Sequence, residues 1–193
     1  MSHLELLNPE SYRRQPWKNG GGELVNISGE GNGSWQNMGV AWQYGRTRIP
    51  APGPFSDLSG YERQQVVIKG RGLVLVTPAG DIDLREPFRP VRYDGATPIV
   101  TRLESGAVEV VNLIANRLRF RTNLRVGAAG ETLPCEPGLH IIHAADGAAI
   151  LKLSGSQHAL PDDHALRLTG DRPLGIEIAV GRVLIASVHP ITF

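Results

Sequence analysis

Val66-Val67-Ile68-Lys69-Gly70-Arg71-Gly72-Leu73-Val74-Leu75-Val76 and, 75 residues further on, Ile141-Ile142-His143-Ala144-Ala145-Asp146-Gly147-Ala148-Ala149-Ile150-Leu151 follow one plan. Each is an apolar run, a short turn closed by glycine, and a second apolar run. Extending the same offset lays Val66–Ile114 on Ile141–His189 without a gap. Gly72 then falls on Gly147, Gly80 on Gly155, Gly95 on Gly170 and Gly106 on Gly181, with Pro98 on Pro173 and Arg92 on Arg167. Four of the five glycines in the first segment find a glycine partner, although glycine is only 23 of 193 residues. Glycine alone takes positive φ without steric cost, so matched glycines imply matched turns. Matched turns between matched strands imply one β unit used twice.

The rest of the chain agrees with an all-β reading. Short apolar runs recur every 8–12 residues between Gly, Pro, Asp and Asn, and glycine or proline interrupts nearly every window long enough for a helix. The clear strands are Gln64–Lys69, Leu73–Thr77, Ile99–Leu103, Val108–Ala115, Leu139–Ala144, Ala148–Leu153, Leu174–Val180 and Val183–Val188. Weaker signals lie at Leu24–Ile27, Met38–Tyr44, Ile82–Leu84, Val91–Tyr93 and Ala165–Leu168. Asn8 followed by Pro9 suggests one short helical turn. About eight short strands per copy is the size of a small double-sheet jelly roll, and two copies are too few for a solenoid.

Composition narrows the function. The balance of 20 Lys+Arg against 19 Asp+Glu leaves a net charge of +1, without the basic footprint that nucleic acid requires. The one dense basic group, Arg117, Arg119, Arg121 and Arg125, reads as a solvated strand whose charges block edge pairing. The single Cys135 makes no internal disulfide. The opening residues lack the pattern of a signal peptide, and no apolar run is long enough to span a bilayer. A cytoplasmic protein with neither a nucleic-acid nor a membrane partner is expected. A homodimer is compatible with the chain.

The two copies differ in polarity. Arg63 falls opposite Gly138, Gln65 opposite His140, Glu109 opposite Leu184 and Asn112 opposite Ser187. Alternation puts Asn112 on the face of Val108, Val110 and Ile114, where an amide must find partners or lose about 1–3 kcal/mol. Arg63 shares a face with Gln65 and Val67. If that face is inward, the guanidinium calls for an anion; if it is a rim, Glu62 or Asp57 would pair with it. Two further segments are turn-rich. Pro16-Trp17-Lys18-Asn19-Gly20-Gly21-Gly22-Glu23 is neither a P-loop nor a dinucleotide fingerprint, and its residues by themselves favour a flexible turn. Pro52–Arg63 is a stiff, turn-rich stretch entering the Arg63 strand. No His-x-His pair or Gly-x-Ser-x-Gly elbow occurs, so neither a metal nor another cofactor is expected, and no catalytic residue is assigned.

Several of these residues together resemble the HutD/Ves family. They are Pro16–Glu23, the aromatic strand with Trp42, Gly53-Pro54-Phe55-Ser56, the acid–arginine pair Glu62-Arg63, the hairpin Val66–Val76 and the Asn112 strand. The resemblance covers nearly the whole chain. It implies a cupin-like fold of the bicupin type, in agreement with the repeat, and a link to bacterial histidine utilisation through binding of a pathway intermediate. In metal-binding cupins a glutamate ligand stands seven residues before the hairpin glycine. Counting back from Gly70 gives Arg63, with no histidines upstream, so a cation stands where the family's relatives hold a carboxylate. The chain departs from the family pattern at Glu62-Arg63, Val110-Val111-Asn112 and Trp42-Gln43, where Asp-Arg, Asp-Phe-Asn and Trp-Arg are usual.

The combined expectation is a tandem pair of cupin-like double-stranded β-helix (jelly-roll) barrels. Residues 1–115 would form a ligand-binding barrel and 116–193 a degenerate copy. In the first, Arg63 would clamp a small carboxylate metabolite such as urocanate or N-formylglutamate. Lys18 and Asn19 would add donors, Ser56 and Asn112 would orient the ligand, and Phe55 and Trp42 would form apolar walls. The protein would thereby regulate histidine utilisation. Rival readings are a metal-independent enzyme drawing on Glu62, Asp57 or Glu109, and a regulator acting through protein contacts.

Overall fold

A computed structural model describes residues 2–16, 23–31 and 39–192. Its elements are β1 (His3–Leu7), β2 (Arg13–Pro16), β3 (Glu23–Gly31), β4 (Val40–Ile49), β5 (Tyr61–Lys69), β6 (Leu73–Thr77), β7 (Gly80–Leu84), β8 (Val91–Asp94) and β9 (Val100–Leu103). They continue as β10 (Val108–Asn116), β11 (Phe120–Ala128), β12 (Thr132–Cys135), β13 (Gly138–His143), β14 (Ala149–Leu153), β15 (Ser156–Leu160), β16 (Ala165–Gly170), β17 (Leu174–Val180) and β18 (Arg182–Pro190). The only helical element among the described residues is the 3-10 turn Pro9–Ser11, where the Asn8 side chain accepts from the Glu10 backbone N–H at 3.0 Å.

The chain divides into two compact units, one of residues 13–121 with 191–192, the other of residues 2–12 and 122–190. In the first, one sheet runs β2-β3-β4-β10-β5-β8 and the other β7-β6-β9. In the second, the sheets run β1-β16-β13-β18-β11 and β12-β17-β14-β15. The 75-residue offset carries β5 onto β13, β6 onto β14, β7 onto β15, β8 onto β16, β9 onto β17 and β10 onto β18. The strand orders β8-β5-β10 and β16-β13-β18 correspond, as do β7-β6-β9 and β15-β14-β17. Three glycine pairs hold positive φ in both copies: Gly72 and Gly147 at 84° and 88°, Gly80 and Gly155 at 121° and 84°, and Gly106 and Gly181 at 88° and 82°. The fourth pair matches for another reason. A Cβ at Gly95 would lie 2.4 Å from the Leu58 carbonyl, so there the glycine permits close approach of a loop.

Each unit closes its core between its own two sheets. In the first, Val67 and Val110 meet Leu73, Leu75 and Leu84. In the second, Ile142, Leu168 and Ile185 meet Leu151, Leu160, Ile176 and Ile178. Each of these side chains contributes about 1.5–3 kcal/mol on burial. The fold is thus all-β, a tandem pair of cupin-like double-sheet barrels.

The unit boundary differs from the one expected at 115/116. It falls after Arg121, within β11, and residues 2–12 go with the second unit. The cause is sheet-edge pairing. β1 lies antiparallel to β16 from His3↔Thr169 to Leu7↔Ala165, and the Tyr12 hydroxyl donates to the Asp163 carbonyl at 2.7 Å. Exposed β edges demand partners, and β1 satisfies that of β16.

Candidate functional site

Arg63 lies on β5, directly across from Tyr93 on β8 and Ile114 on β10. It points inward with Gln65 and Val67, and is only 8% exposed. The rim alternative for Arg63 is excluded. Glu62 pairs with Arg92 at 3.0 Å, and Asp57 accepts from the backbone N–H and hydroxyl of Ser59 at 2.8 and 2.7 Å. No hydrogen bond or ion pair joins the Arg63 guanidinium to another described residue, and its buried Nε has no acceptor among them. Two rings face it instead, Phe55 at 4.7 Å and Tyr93 at 5.4 Å from ring centroid to guanidinium carbon. A ring over a cation contributes about 0.5–2 kcal/mol, less than the several kcal/mol that burying an unpaired ion costs. The imbalance is one an anion would correct.

Beside Arg63 runs a short polar chain. The Tyr93 hydroxyl donates to Gln65 Oε1 at 3.1 Å, and Gln65 Nε2 donates to Asn112 Oδ1 at 3.0 Å. The polarity of this chain leaves the Asn112 amide nitrogen as a donor. Burial pushes the Tyr93 phenol above its ordinary value, with Arg63 pulling the other way, so the hydroxyl keeps its proton.

The loop over Arg63 has a clear structural origin. Pro54 bridges Val100 in the first barrel as Pro134 pairs with Gly175 in the second. From Pro54 to Arg63 is nine positions, whereas from Pro134 to Gly138 is four. The first barrel therefore carries five extra residues, and Phe55 opens that insertion. Backbone bonds fix it: Phe55 N–H to the Ile99 carbonyl, Leu58 N–H to Gly95, and Thr101 N–H to Gly53, each at 2.9 Å.

The second barrel has an answering but closed arrangement. His140 and Ser187, the counterparts of Gln65 and Asn112, sit 2.8 Å apart, and His140 Nε2–H donates to the Glu136 carbonyl at 2.8 Å. Burial lowers the His140 pKa below its ordinary value, outweighing the opposing hydrogen bond to the Glu136 carbonyl, with His189 and Arg125 adding to the lowering, so the ring is neutral at pH 7. The Arg63 position is Gly138, where a Cβ would meet the His189 ring at 2.6 Å. The second barrel is consequently not plain, as the sequence suggests; it keeps a polar pair and fills the arginine's place with an imidazole. Arg125, read from the sequence as a solvated strand residue, donates to the Pro134 carbonyl at 2.8 Å and to Cys135 Sγ at 3.3 Å.

Of the residues expected at the site, Arg63, Phe55 and Asn112 share it. Ser56 follows Phe55 but is exposed. Trp42 does not form a wall. It pairs across from Ala115, on the sheet face opposite Arg63, where its Nε1 donates to Glu30 at 3.2 Å. Alternation along β4 decides this, since Gln43 and Gly45 take the inward face. Lys18 and Asn19 lie outside the described residues. Tyr93 and Gln65 are additional to the expected set. Their signal was their repeat partners, Leu168 and His140. The carboxylates weighed for acid–base chemistry turn elsewhere, with Glu109 on Arg46 at 2.7 Å.

The HutD family model matches residues 9–185. A relative from Pseudomonas putida, described as an uncharacterized 21.2 kDa protein in the hutC 3′ region, is 31% identical over 183 residues, covering 92% of this chain and 94% of that one. Among solved structures, HutD from Pseudomonas fluorescens SBW25 in a formate condition superposes with a TM-score of 0.83 at 26% identity, over 98% of this chain and all of that one. The conserved protein PA5104 of unknown function from Pseudomonas aeruginosa PAO1 gives a TM-score of 0.84 at 23% identity, over 96% and 98% of the two chains. With a family match running from the 3-10 turn to the last strand of the second barrel, the chain belongs to the HutD family.

Proposed function

We propose that the first barrel binds a small carboxylate of histidine breakdown, such as urocanate or N-formylglutamate, and that the bound state regulates histidine utilisation in the cytoplasm. The observation that carries this reading is the buried Arg63 guanidinium, without a counter-charge among the described residues and with an unsatisfied Nε. The Asn112 nitrogen adds a second donor, and Phe55 supplies an apolar face. The hutC-region placement of the Pseudomonas putida relative supports the choice of pathway. No titratable carboxylate among Glu62, Asp57 and Glu109 is free to act on the ligand, which favours binding over acid–base chemistry.

Calorimetric titration of the wild type and Arg63→Ala with both acids tests the reading. A charge-assisted bond to a buried arginine contributes about 1.5–3 kcal/mol, so the substitution should weaken binding at least tenfold. Equal affinities in the two proteins would remove Arg63 from the site.

A further inference from the structure

A single row of residues crosses the first barrel's large sheet. Asn26 on β3 lies opposite Gly45 on β4, Gly45 opposite Asn112 on β10, and Asn112 opposite Gln65 on β5. Residues directly opposed across strands face the same side, so Asn26 shares the inward face with Asn112, Gln65 and, one step along β5, Arg63. The two ends of this row have opposite needs. At the β5 end stand donors, the Arg63 guanidinium with its unsatisfied Nε and the Asn112 nitrogen. At the β3 end Asn26 Oδ1 is buried and has no donor among the described residues. Between them stands Gly45, where a Cβ would lie 2.5 Å from the Val25 carbonyl, so no side chain can occupy the middle of the row.

A buried carbonyl oxygen without a donor is as unfavourable as a buried donor without an acceptor. A simple carboxylate meets only one of the two needs. We infer that the ligand is bifunctional: a small acid whose carboxylate meets Arg63 and Asn112 and whose N–H, at the far end, donates to Asn26 Oδ1. This rests on the carboxylate reading of the Arg63 site and adds the second contact. Three strand spacings of about 4.8 Å separate β3 from β5, and side chains reaching in from both ends leave a gap on the order of 5 Å. A short rigid spacer between carboxylate and N–H fits that gap, and the Phe55 ring offers it a flat apolar contact.

The test compares two isosteric acids by calorimetry, (E)-3-(pyrrol-2-yl)acrylate, which carries a ring N–H, and (E)-3-(furan-2-yl)acrylate, which carries a ring oxygen in its place. Wild type should bind the pyrrole acid about tenfold more tightly, because the furan oxygen faces another acceptor. Asn26→Ala should bring the two affinities within about twofold, while Arg63→Ala should weaken both acids together. Equal wild-type affinities, with both acids still lost in Arg63→Ala, would overturn the bifunctional ligand and leave the carboxylate reading standing. Absence of binding of either acid to wild type would overturn both. The wild-type comparison decides the question even if Asn26→Ala fails to fold.

Discussion

Replacing Arg63 by methionine should make the free protein more stable while destroying its ligand response. In the wild-type site Arg63 is 8% exposed as a residue, with no ion pair to any described residue and with a buried Nε that has no acceptor among them. An uncompensated buried ion costs several kcal/mol, and an unmet buried donor about 1–3. Against this, Phe55 and Tyr93 return about 0.5–2 kcal/mol each through their ring faces. Methionine keeps most of the arginine stem's packing volume and carries no charge. The balance favours Arg63→Met by about 1–2 kcal/mol, which for a chain of this size raises Tm by roughly 2–8 °C. Urea unfolding and calorimetry of the ligand-free proteins measure the first effect. Repeating them with a saturating carboxylate measures the second: wild type should gain stability by mass action, and Arg63→Met should not. The reasoning fails if Arg63→Met is destabilised by more than 1 kcal/mol, because the guanidinium would then be a satisfied part of the core rather than one awaiting an anion.

Two further outcomes follow from the polar chains. Tyr93→Phe leaves Gln65 Oε1 without its donor, and should cost about 1–2 kcal/mol in urea unfolding and also weaken carboxylate binding by loosening the orientation of Asn112; unchanged stability and affinity would show the chain to be idle. His140 has a folded pKa below its ordinary 6.5, chiefly through burial, so below that value the unfolded state takes up more protons than the folded one. Stability is full above pH 6.5 and is lost as pH falls through 6.5 toward the folded value. Urea midpoints between pH 7.5 and 5 should decline in wild type, and His140→Gln should flatten that decline; an identical slope in both proteins would assign it to other groups.

The β architecture was legible because glycine reports turns directly. Gly72, Gly80 and Gly106 each hold the same left-handed backbone as their repeat partners, so the turn pattern alone aligned the two copies strand for strand. Arg63 was legible for a related reason, since its opposite number Gly138 cannot do what a guanidinium does. What the pattern could not supply was partner choice. β1 is a short strand with Leu6 more than half exposed, and only the open edge of β16 explains where it goes. β12 is hard to read because a threonine and a proline dilute its apolar alternation, and β11 shows only as a basic, solvated strand. The direction of Trp42 is not legible in the sequence, because a strand buried on both faces has no polar side to mark which way an aromatic points.

On the proposed function, the contrast between the two barrels assigns the site to one row of one barrel rather than to the fold. Both retain a hydrogen-bonded pair at the same two positions, Gln65 with Asn112 and His140 with Ser187, so that pair by itself does not mark a ligand. In the second barrel the histidine is satisfied at both ring nitrogens, and its neighbour His189 fills the space over Gly138. In the first barrel the same pair is extended by Tyr93, joined by an arginine that no described acceptor meets, and roofed by a five-residue insertion carrying Phe55. A scaffold that needed only a polar pair to hold its strands in register would have no use for those additions, each of which brings either a desolvated charge or an extra ordered loop. On the proposed function, their concentration around one guanidinium serves an anionic guest: the free protein would bear an unfavourable state that the bound ligand relieves.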